Sequence, residues 1–179
     1  MKIYPDQIPI FPLSGVIYFP KTNLPLNIFE KRYLDLVNDA VKKNKLMGMI
    51  QSKKGMGDVY NVGCLGKISD YQKSSDGRII INLTGITRFE ILQEVKSSKL
   101  YREFKVKYEK FSSDLKPEME DIKIYSLIQK VKKFFNKYGL LLNWKEFEKL
   151  EITHKINTLA MIAPIMNEEK QKLLESPAS

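Results

Sequence analysis

Cysteine and histidine are almost absent from this sequence of 179 residues, which contains only Cys64 and His154. A single cysteine excludes an internal disulfide, and one residue of each type is too few for a zinc site built from several thiolate and imidazole ligands. A Cys64–His154 pair of nucleophile and base is conceivable, but ordinary core roles explain both residues better. Low cysteine use is typical of reducing compartments, so we expect a cytoplasmic protein.

Long apolar runs are also absent from the sequence. No window approaches the roughly 20 apolar residues that a membrane-spanning helix needs. The opening MKIYPDQIPIF has no apolar run long enough for a signal peptide. We therefore expect no association with a membrane.

The common motifs of catalysis and nucleotide binding are missing as well. No Gly-Lys-Ser or Gly-Lys-Thr follows a strand, so the sequence has no Walker-type phosphate loop. Ser14, in PLSGV, does not lie in the strand–turn–helix elbow that exposes a nucleophilic serine. We therefore expect no catalytic residue, no bound metal, no cofactor and no enzymatic activity.

Positive charge, in contrast, is plentiful: Lys and Arg number 30 against 21 Asp and Glu, which gives a formal net charge of +9. Such a charge invites a nucleic-acid-binding interpretation. Only four of these residues are arginines, which read phosphate better than lysines do, and the lysines are scattered along the chain. RNA or other nucleic-acid binding is therefore our alternative hypothesis and not the leading one.

Apolar and alternating segments predict a β-rich first half. The segments IPIFPL, GVIYFP, LPLNIF and LMGMI are short apolar runs, and TRFEILQEV and YREFKVKYEKF alternate between apolar and polar residues. VGCLGKISDYQ and RIIINLTGI flank KSSDG, where Asp76-Gly77 predicts a hairpin turn because glycine tolerates a positive φ. Residues 30–44 carry apolar side chains at three- and four-residue spacing, which predicts one amphipathic helix.

The segment SSDLKPE separates this half from a helical one, so we expect domains at residues 1–113 and 118–179. Pro117 suits the start of a long helix, and Gly139 suits its end. NWKEFEKLE and HKINTLAMIA predict two further helices, and Asn167 is the predicted N-cap of EEKQKLLE. The buried stripe of the long helix is predicted to consist of Ile124, Ile128, Val131, Phe135 and Tyr138.

Several segments, taken in order, resemble a known family. PIFPLSGVIYFPKTNLPLNIFEKRYLDLV, VGCLGKI, SSDGRIIINLTGITRFEIL and EEKQKLLES are similar to the Lon substrate-binding domain, strongly over residues 8–110 and loosely over the C-terminal helices. The order and spacing of FPL, FP, LPL, FE.RY, VG, DGR and G..RF carry the resemblance. More specifically, the pattern resembles stand-alone proteins that carry this domain without the protease.

The resemblance implies an α+β fold, namely a PUA-like β pseudo-barrel with one crossing helix, followed by an α-helical bundle. It also implies a non-catalytic role in recognising proteins or peptides. The sequence has neither an ATPase module nor a serine–lysine proteolytic domain, so full Lon activity does not follow. The chain ends at LLESPAS, where we expect this family to continue into one more helix, so either the sequence is truncated or this member is short.

The candidate site lies in PLNIFEKRY, residues 25–33, where strand changes to helix with almost no loop. The helix dipole favours Glu30 at a helix start, and we expect Glu30, or Glu90, to form a structural ion pair with a partly buried Arg88. Aromatic and arginine side chains beside an apolar strand end are typical of binding hot spots. The candidate peptide-binding residues are therefore Phe29, Lys31, Arg32 and Tyr33.

Our leading hypothesis is a module that binds unfolded or extended segments of other proteins, with a protease or chaperone as a further partner. Nucleic-acid binding, the alternative, predicts a steep dependence on salt and lysines clustered on one face. An enzyme that uses Cys64 and His154 is the third hypothesis, and it requires those two side chains to lie together.

Overall fold

The computed structural model describes residues 4–54, 57–115 and 122–176. Its first part is built from six strands and one helix, in the chain order that the sequence pattern predicts. The strands are β1 (Gln7–Leu13), β2 (Asn23–Ile28), β3 (Leu46–Gln51), β4 (Val62–Lys73), β5 (Ile79–Val95) and β6 (Arg102–Lys107), and helix α1 (Lys31–Lys42) lies between β2 and β3.

The six strands form one sheet whose hydrogen bonding runs almost in a ring. The order is β2-β5-β4-β3-β1-β6, and β5 also pairs with β6, which closes the ring. Strand β5 does this because its two halves have different partners: Ile81 lies opposite Leu26 of β2, whereas Ile91 lies opposite Val106 of β6. The predicted α+β fold with a β pseudo-barrel is confirmed.

The long strand β5 bends where it passes from one partner to the next. The sequence pattern predicts two strands here, RIIINLTGI and TRFEILQEV, but the structure has one strand of 17 residues. Gly85 lies at the bend, beside a register shift in the pairing with β4, and a Cβ atom at this position would collide with the carbonyl oxygen of Phe19. Glycine is therefore required for the close approach of two backbones.

The segment 15–20 was predicted as a strand, and this prediction is wrong. Ile17, Tyr18 and Phe19 are buried, but the segment forms no strand and crosses under the bend of β5 as irregular chain. The hydroxyl of Tyr18 donates a hydrogen bond of 2.7 Å to the carbonyl oxygen of Leu83 in β5. The apolar pattern thus predicts the burial of these side chains correctly. It wrongly predicts backbone hydrogen bonds to a neighbouring strand.

Helix α1 packs on one face of the sheet, as the sequence pattern predicts. Its buried residues Leu36, Val37 and Ala40 recur at one- to three-residue steps on one side of the helix. They share a core cluster with Met47 of β3 and Ile81 of β5. The predicted crossing helix at residues 30–44 is therefore present, and its bounds are Lys31–Lys42.

The remaining elements are helical. A short 3-10 helix (Glu109–Leu115) follows β6 and is followed by α2 (Ile122–Lys137), α3 (Trp144–Glu148), α4 (Ile152–Ile162) and α5 (Asn167–Glu175). Gly139, with φ of 65°, ends α2, and the N–H of Leu140 donates to the carbonyl of Phe135 across it, so the predicted C-cap is confirmed. The predicted helix start at Pro117 lies outside the described residues.

Two details of the helical part correct the sequence prediction. Tyr138, predicted to belong to the buried stripe of α2, is 59% exposed, whereas Ile128 and Phe135 of that stripe are buried. The side chain of Ile124 lies outside the described part. Asn167 is the first residue of α5 and not its N-cap, and the side chain of Glu169 accepts a hydrogen bond from the N–H of Met166 instead.

The C-terminal helices contact the pseudo-barrel. Leu174 of α5 is buried in a cluster with Phe19, Val62 and Phe111. The side-chain amide of Asn157 in α4 also donates to the carbonyl of Pro20, at 2.8 Å. These contacts cross the predicted boundary between residues 1–113 and 118–179, part of which lies outside the described residues. The division into two domains stays a prediction.

Candidate functional site

The junction between β2 and α1 needs almost no loop because one extended residue makes the change of direction. Glu30 has φ of −72° and ψ of 133°, which is extended backbone, and it directly precedes the first residue of α1. Its carbonyl oxygen accepts hydrogen bonds of 2.9 Å from the N–H groups of Tyr33 and Leu34. The first turn of the helix is thus anchored on the backbone of Glu30, two residues after β2 ends.

Three of the four candidate peptide-binding residues are exposed at this junction. Phe29 is 66% exposed, which is unusual for a large aromatic side chain, and Lys31 and Arg32 are exposed beside it. We call Phe29, Lys31 and Arg32 the junction surface. It combines one apolar ring with two cationic side chains.

Tyr33, the fourth candidate, faces inward. Its side chain is only 8% exposed, and its ring centroid lies 4.1 Å from that of Phe11 in β1. The guanidinium of Arg32 lies 4.5 Å from the centre of the Tyr33 ring. Burial raises the pKa of Tyr33, with the Arg32 charge acting in the opposite direction. Tyr33 therefore supports the junction surface from below, and Phe11 is a supporting residue that the sequence reasoning did not identify.

The predicted pair between Glu30 and Arg88 does not form, because both residues have other partners. Glu30 pairs with Arg32 at 2.8 Å, and both side chains are about half exposed. Arg88 pairs with Asp114 at 2.7 Å, and both of these side chains are buried. Glu90 pairs with lysines later in the chain, and its carboxylate lies 3.4 Å from the ammonium group of Lys107. Glu30 thus lies on the surface and does not neutralise a buried charge.

Arg88 links three separate parts of the fold. Its side-chain nitrogens donate to both carboxylate oxygens of Asp114 in the 3-10 helix and to the main-chain carbonyls of Leu174 and Ser176. Its guanidinium also lies 4.3 Å from the centre of the Phe111 ring. The residue is therefore structural, and the sequence carried no local signal for its partner.

Strand β2 offers a backbone edge next to the junction surface. Within residues 4–54, 57–115 and 122–176, β2 pairs only with β5. The carbonyl of Thr22 accepts a hydrogen bond from Gly85 of β5, so by alternation the backbone groups of Asn23, Pro25 and Asn27 point away from β5. Proline at such a position is typical of an edge strand, since its missing N–H faces outward.

A small cavity lies near the other end of α1 and has a different character. It has a volume of about 60 Å³ and is lined in part by Asp39, Lys43, Tyr101 and Glu103. The Tyr101 hydroxyl donates to Asp39 at 2.7 Å, and Lys99 donates to Glu103 at 2.9 Å. Because these polar groups satisfy each other, the cavity offers no evident pair of nucleophile and base.

Of the two residues of the enzyme hypothesis, Cys64 has surroundings that disfavour catalysis. Cys64 is fully buried in β4, and this burial raises the pKa of its thiol well above the ordinary value. A buried, protonated thiol is a poor nucleophile. His154 lies half-buried in α4, in the helical part of the fold. The described residues contain no group of three or more His, Cys, Asp and Glu side chains placed to hold a metal ion.

The helices of the described part include none with the length and apolarity that crossing a membrane requires.

Among the exposed apolar side chains of the β-rich part, Phe29, at 66%, is the most exposed. The junction surface and the adjoining β2 edge are therefore our candidate functional site, and the assignment stays a prediction.

Comparison with known proteins identifies relatives across nearly the whole chain. Residues 7–178 match the family described as the ATP-dependent protease La (LON) substrate-binding domain. The Lon protease of Syntrophus aciditrophicus is 25% identical over 96% of this chain, but the match covers 23% of that protease. The Lon protease of Parabacteroides distasonis is 31% identical over 71% of this chain and 16% of the protease. The chain thus spans about a fifth of such relatives.

Solved structures agree with this match at the level of the fold. A Lon N-terminal domain protein from Xanthomonas campestris superimposes with a TM-score of 0.67 at 20% identity, over 96% of this chain and 90% of that one. The N-terminal domain of a Mycobacterium avium complex Lon protease gives 0.63 at 15% identity, over 96% and 91% of the two chains. By sequence and by fold, this chain belongs to the LON substrate-binding domain family.

Proposed function

We propose that this protein is a non-catalytic module that binds unfolded or extended segments of other proteins. The observation that carries the proposal is the match of residues 7–178 to a substrate-binding domain. A protease or chaperone that receives the bound protein is a further partner in this proposal. The single, buried cysteine supports a cytoplasmic location for it.

The edge of β2 and the junction surface together suit an extended peptide. A peptide laid along β2 receives hydrogen bonds from the N–H groups of Asn23 and Asn27 and donates to the carbonyls on the same edge. Pro25 removes one donor, which limits how long a regular ladder can become. At the end of the strand, Phe29 provides an apolar contact for a side chain of the peptide.

Main-chain hydrogen bonds and one aromatic contact recognise an extended backbone with little regard for its sequence. This property is what a receptor for unfolded proteins requires. A small interface of this kind has a dissociation constant on the order of micromolar. Because Lys31 and Arg32 adjoin Phe29, we expect a modest preference for segments that also carry acidic residues.

The direct test is a titration of a fluorescently labelled polypeptide that is kept unfolded by reduction and alkylation of its cysteines. We expect saturable binding, measured by fluorescence anisotropy, and competition by the unlabelled unfolded chain but not by its folded form. If the anisotropy never saturates, or if the folded form competes equally well, the proposal is wrong.

Replacing the exposed ring tests the location of the site. We expect Phe29→Ser to weaken binding by about fivefold to tenfold, because the ring is the main apolar contact of the junction surface. Leu92→Ser is the matched control, since Leu92 is 59% exposed on β5 and lies outside the junction surface. Both residues are exposed, so each change should alter the free energy of unfolding by less than about 1 kcal/mol. Equal loss of binding in the two variants would place the site elsewhere.

A further inference from the structure

Helix α2 exposes a second apolar stripe in addition to the one that it buries. Leu127 is 52% exposed, Phe134 42% and Tyr138 59%. Their spacing of seven and four residues places them on one side of the helix. The Phe134 and Tyr138 rings lie 4.5 Å apart, and Leu141, which follows the helix, is 98% exposed. We call these four residues the α2 stripe.

The α2 stripe is separate from the contacts that hold the helix in place. Ile128 is buried in a cluster with Phe147 and Leu159, and Phe135 is also buried. The ring of Phe135 packs on Trp144, with a centroid distance of 5.7 Å. The packing of α2 against its neighbours is thus satisfied by a different set of side chains. Contiguous exposed apolar residues of this kind mark interaction surfaces.

The charged residues of α2 itself are all lysines. Residues 122–145 contain six lysines and neither Asp nor Glu. Lys130, Lys133 and Lys137 are exposed, and none of the three has an ion-pair partner among the described residues. Lys132, in contrast, pairs with Glu148 at 2.8 Å. The stripe therefore lies beside a ridge of exposed lysines whose charge is not neutralised within the described part of the fold.

We propose that the α2 stripe and its lysine ridge dock an acidic amphipathic segment of a partner protein. The apolar residues of that segment cover Phe134, Tyr138 and Leu127, and its carboxylates lie over the lysines, as charge complementarity requires. A second copy of this chain does not fit, because it would place lysines against lysines. Nucleic acid fits less well, because the helix contains no arginine, the residue that reads phosphate best. This surface is distinct from the junction surface.

The test compares three synthetic peptides of equal length by fluorescence anisotropy. The first is an amphipathic helix with leucines on one face and glutamates on the other, the second has serine in place of leucine, and the third has lysine in place of glutamate. We expect only the first to bind. Its affinity should fall by about tenfold between 50 and 300 mM salt, because the lysine contacts are screened. Equal binding of the serine peptide, or binding of the lysine peptide, would overturn the proposal.

Variants locate the binding on the chain. The double change Phe134→Ser/Tyr138→Ser should weaken binding of the first peptide by about tenfold or more. Lys130→Gln/Lys133→Gln/Lys137→Gln should weaken it and flatten its salt dependence. The controls Leu92→Ser and Lys67→Gln/Lys73→Gln/Lys105→Gln change exposed residues of the strands and should leave binding unchanged. Circular dichroism of every variant confirms that it is folded, and a loss of binding in the controls equal to that in the α2 variants contradicts the proposal.

The other possible occupants give distinct results. Binding of single-stranded RNA or of anionic lipid vesicles that is tighter than binding of the acidic peptide, and that is lost in the α2 variants, would assign the surface to those ligands instead. Self-association in sedimentation experiments that disappears in Phe134→Ser/Tyr138→Ser would assign it to a second copy. The unfolded polypeptide that tests the junction surface should bind these variants normally, so the two proposals fail independently.

Discussion

At the scale of single residues, the most demanding group in the fold is the buried guanidinium of Arg88. A buried charge is tolerated when it is paired and its remaining hydrogen bonds are made, and both conditions hold here. The Arg88 and Asp114 side chains are 8% and 7% exposed, and two main-chain carbonyls accept from Nη1 of Arg88. The bidentate geometry makes this pair stronger than an exposed one.

Removing the carboxylate should destabilise the protein strongly. We expect Asp114→Ala to lower the free energy of unfolding by about 3–5 kcal/mol, because it leaves Arg88 buried without its counter-charge. Urea denaturation followed by circular dichroism measures the change. Glu146→Ala is the control: Glu146 pairs with Lys149 at the surface, with both side chains about 60% exposed, and its removal should cost about 1 kcal/mol or less. Similar costs in both variants would show that the Arg88 pair contributes little.

The partner of Arg88 shows what a sequence pattern can and cannot supply. Alternation along TRFEILQEV places Phe89 and Ile91 on one face and Arg88 on the other, and the structure buries both Phe89 and Arg88. Glu30 and Glu90, the expected partners, pair with Arg32 and Lys107 instead. Asp114 lies 26 residues further along, in a polar 3-10 segment that nothing in the local pattern connects to β5. Tyr33 fails as a surface residue for a similar reason, since its contact with Phe11 depends on how α1 lies over β1.

At the scale of elements, β5 decides whether the ring can close. It pairs with β2 before the bend, with β6 after it, and with β4 on both sides of it. The bend is possible because Gly85 lets the backbone of Phe19 approach. The N–H of Lys21 donates to the carbonyl of Gly85, and the N–H of Gly85 donates to the carbonyl of Thr22, both at 2.9 Å. These two hydrogen bonds hold the crossing segments together. A side chain at this position would separate the two segments.

We expect Gly85→Ala to destabilise the protein by about 2–3 kcal/mol, because the added methyl group collides with backbone atoms that cannot rotate away. Thermal denaturation measures the effect as a lower melting temperature. Ile80→Thr serves as the control on the same strand: Ile80 is 46% exposed, and threonine keeps the β-branched shape. A Gly85→Ala variant as stable as this control would mean that the crossing relaxes at no cost.

The elements themselves were largely predictable from the sequence, and the exceptions share a cause. Periodicity identified α1 and the strands on either side of the Asp76-Gly77 turn, where Gly77 has φ of 88°. It failed for residues 15–20, whose apolar side chains are buried without a neighbouring strand to pair with. It also divided β5 in two at Gly85. Periodicity reports which side chains are buried, whereas strand pairing depends on distant segments.

At the scale of the whole molecule, helix α5 packs against the β-rich part across the predicted boundary between residues 1–113 and 118–179. Leu174 of α5, 3% exposed, fills a cluster with Phe19 and Val62 of the β-rich part. The amide of Gln171 donates to the carbonyl of Val62 at 3.1 Å. Contacts of this kind couple the stability of the two parts.

We expect Leu174→Ala to lower the free energy of unfolding by about 2–4 kcal/mol, because it leaves a cavity between α5 and the pseudo-barrel. The fluorescence of Trp144, the single tryptophan, reports on the helices, and circular dichroism reports on the whole chain. Both transitions should shift together if the protein unfolds as one unit. Leu173→Ala, at a position 48% exposed, is the control. A shift of the unfolding transition that is seen only in Trp144 fluorescence, and not in circular dichroism, would instead support two independent domains.

The topology of the sheet determines how late in synthesis the β-rich part can fold. Strand β1 pairs with β6 in a register that joins Gln7 to Lys105, so a ribosome must release nearly the whole β-rich part before the ring can close. The carbonyls of Leu174 and Ser176 reach Arg88 later still. Until then the nascent chain exposes apolar strands to chaperones and proteases. During its own synthesis, this domain therefore passes through the state that we propose it recognises in other proteins.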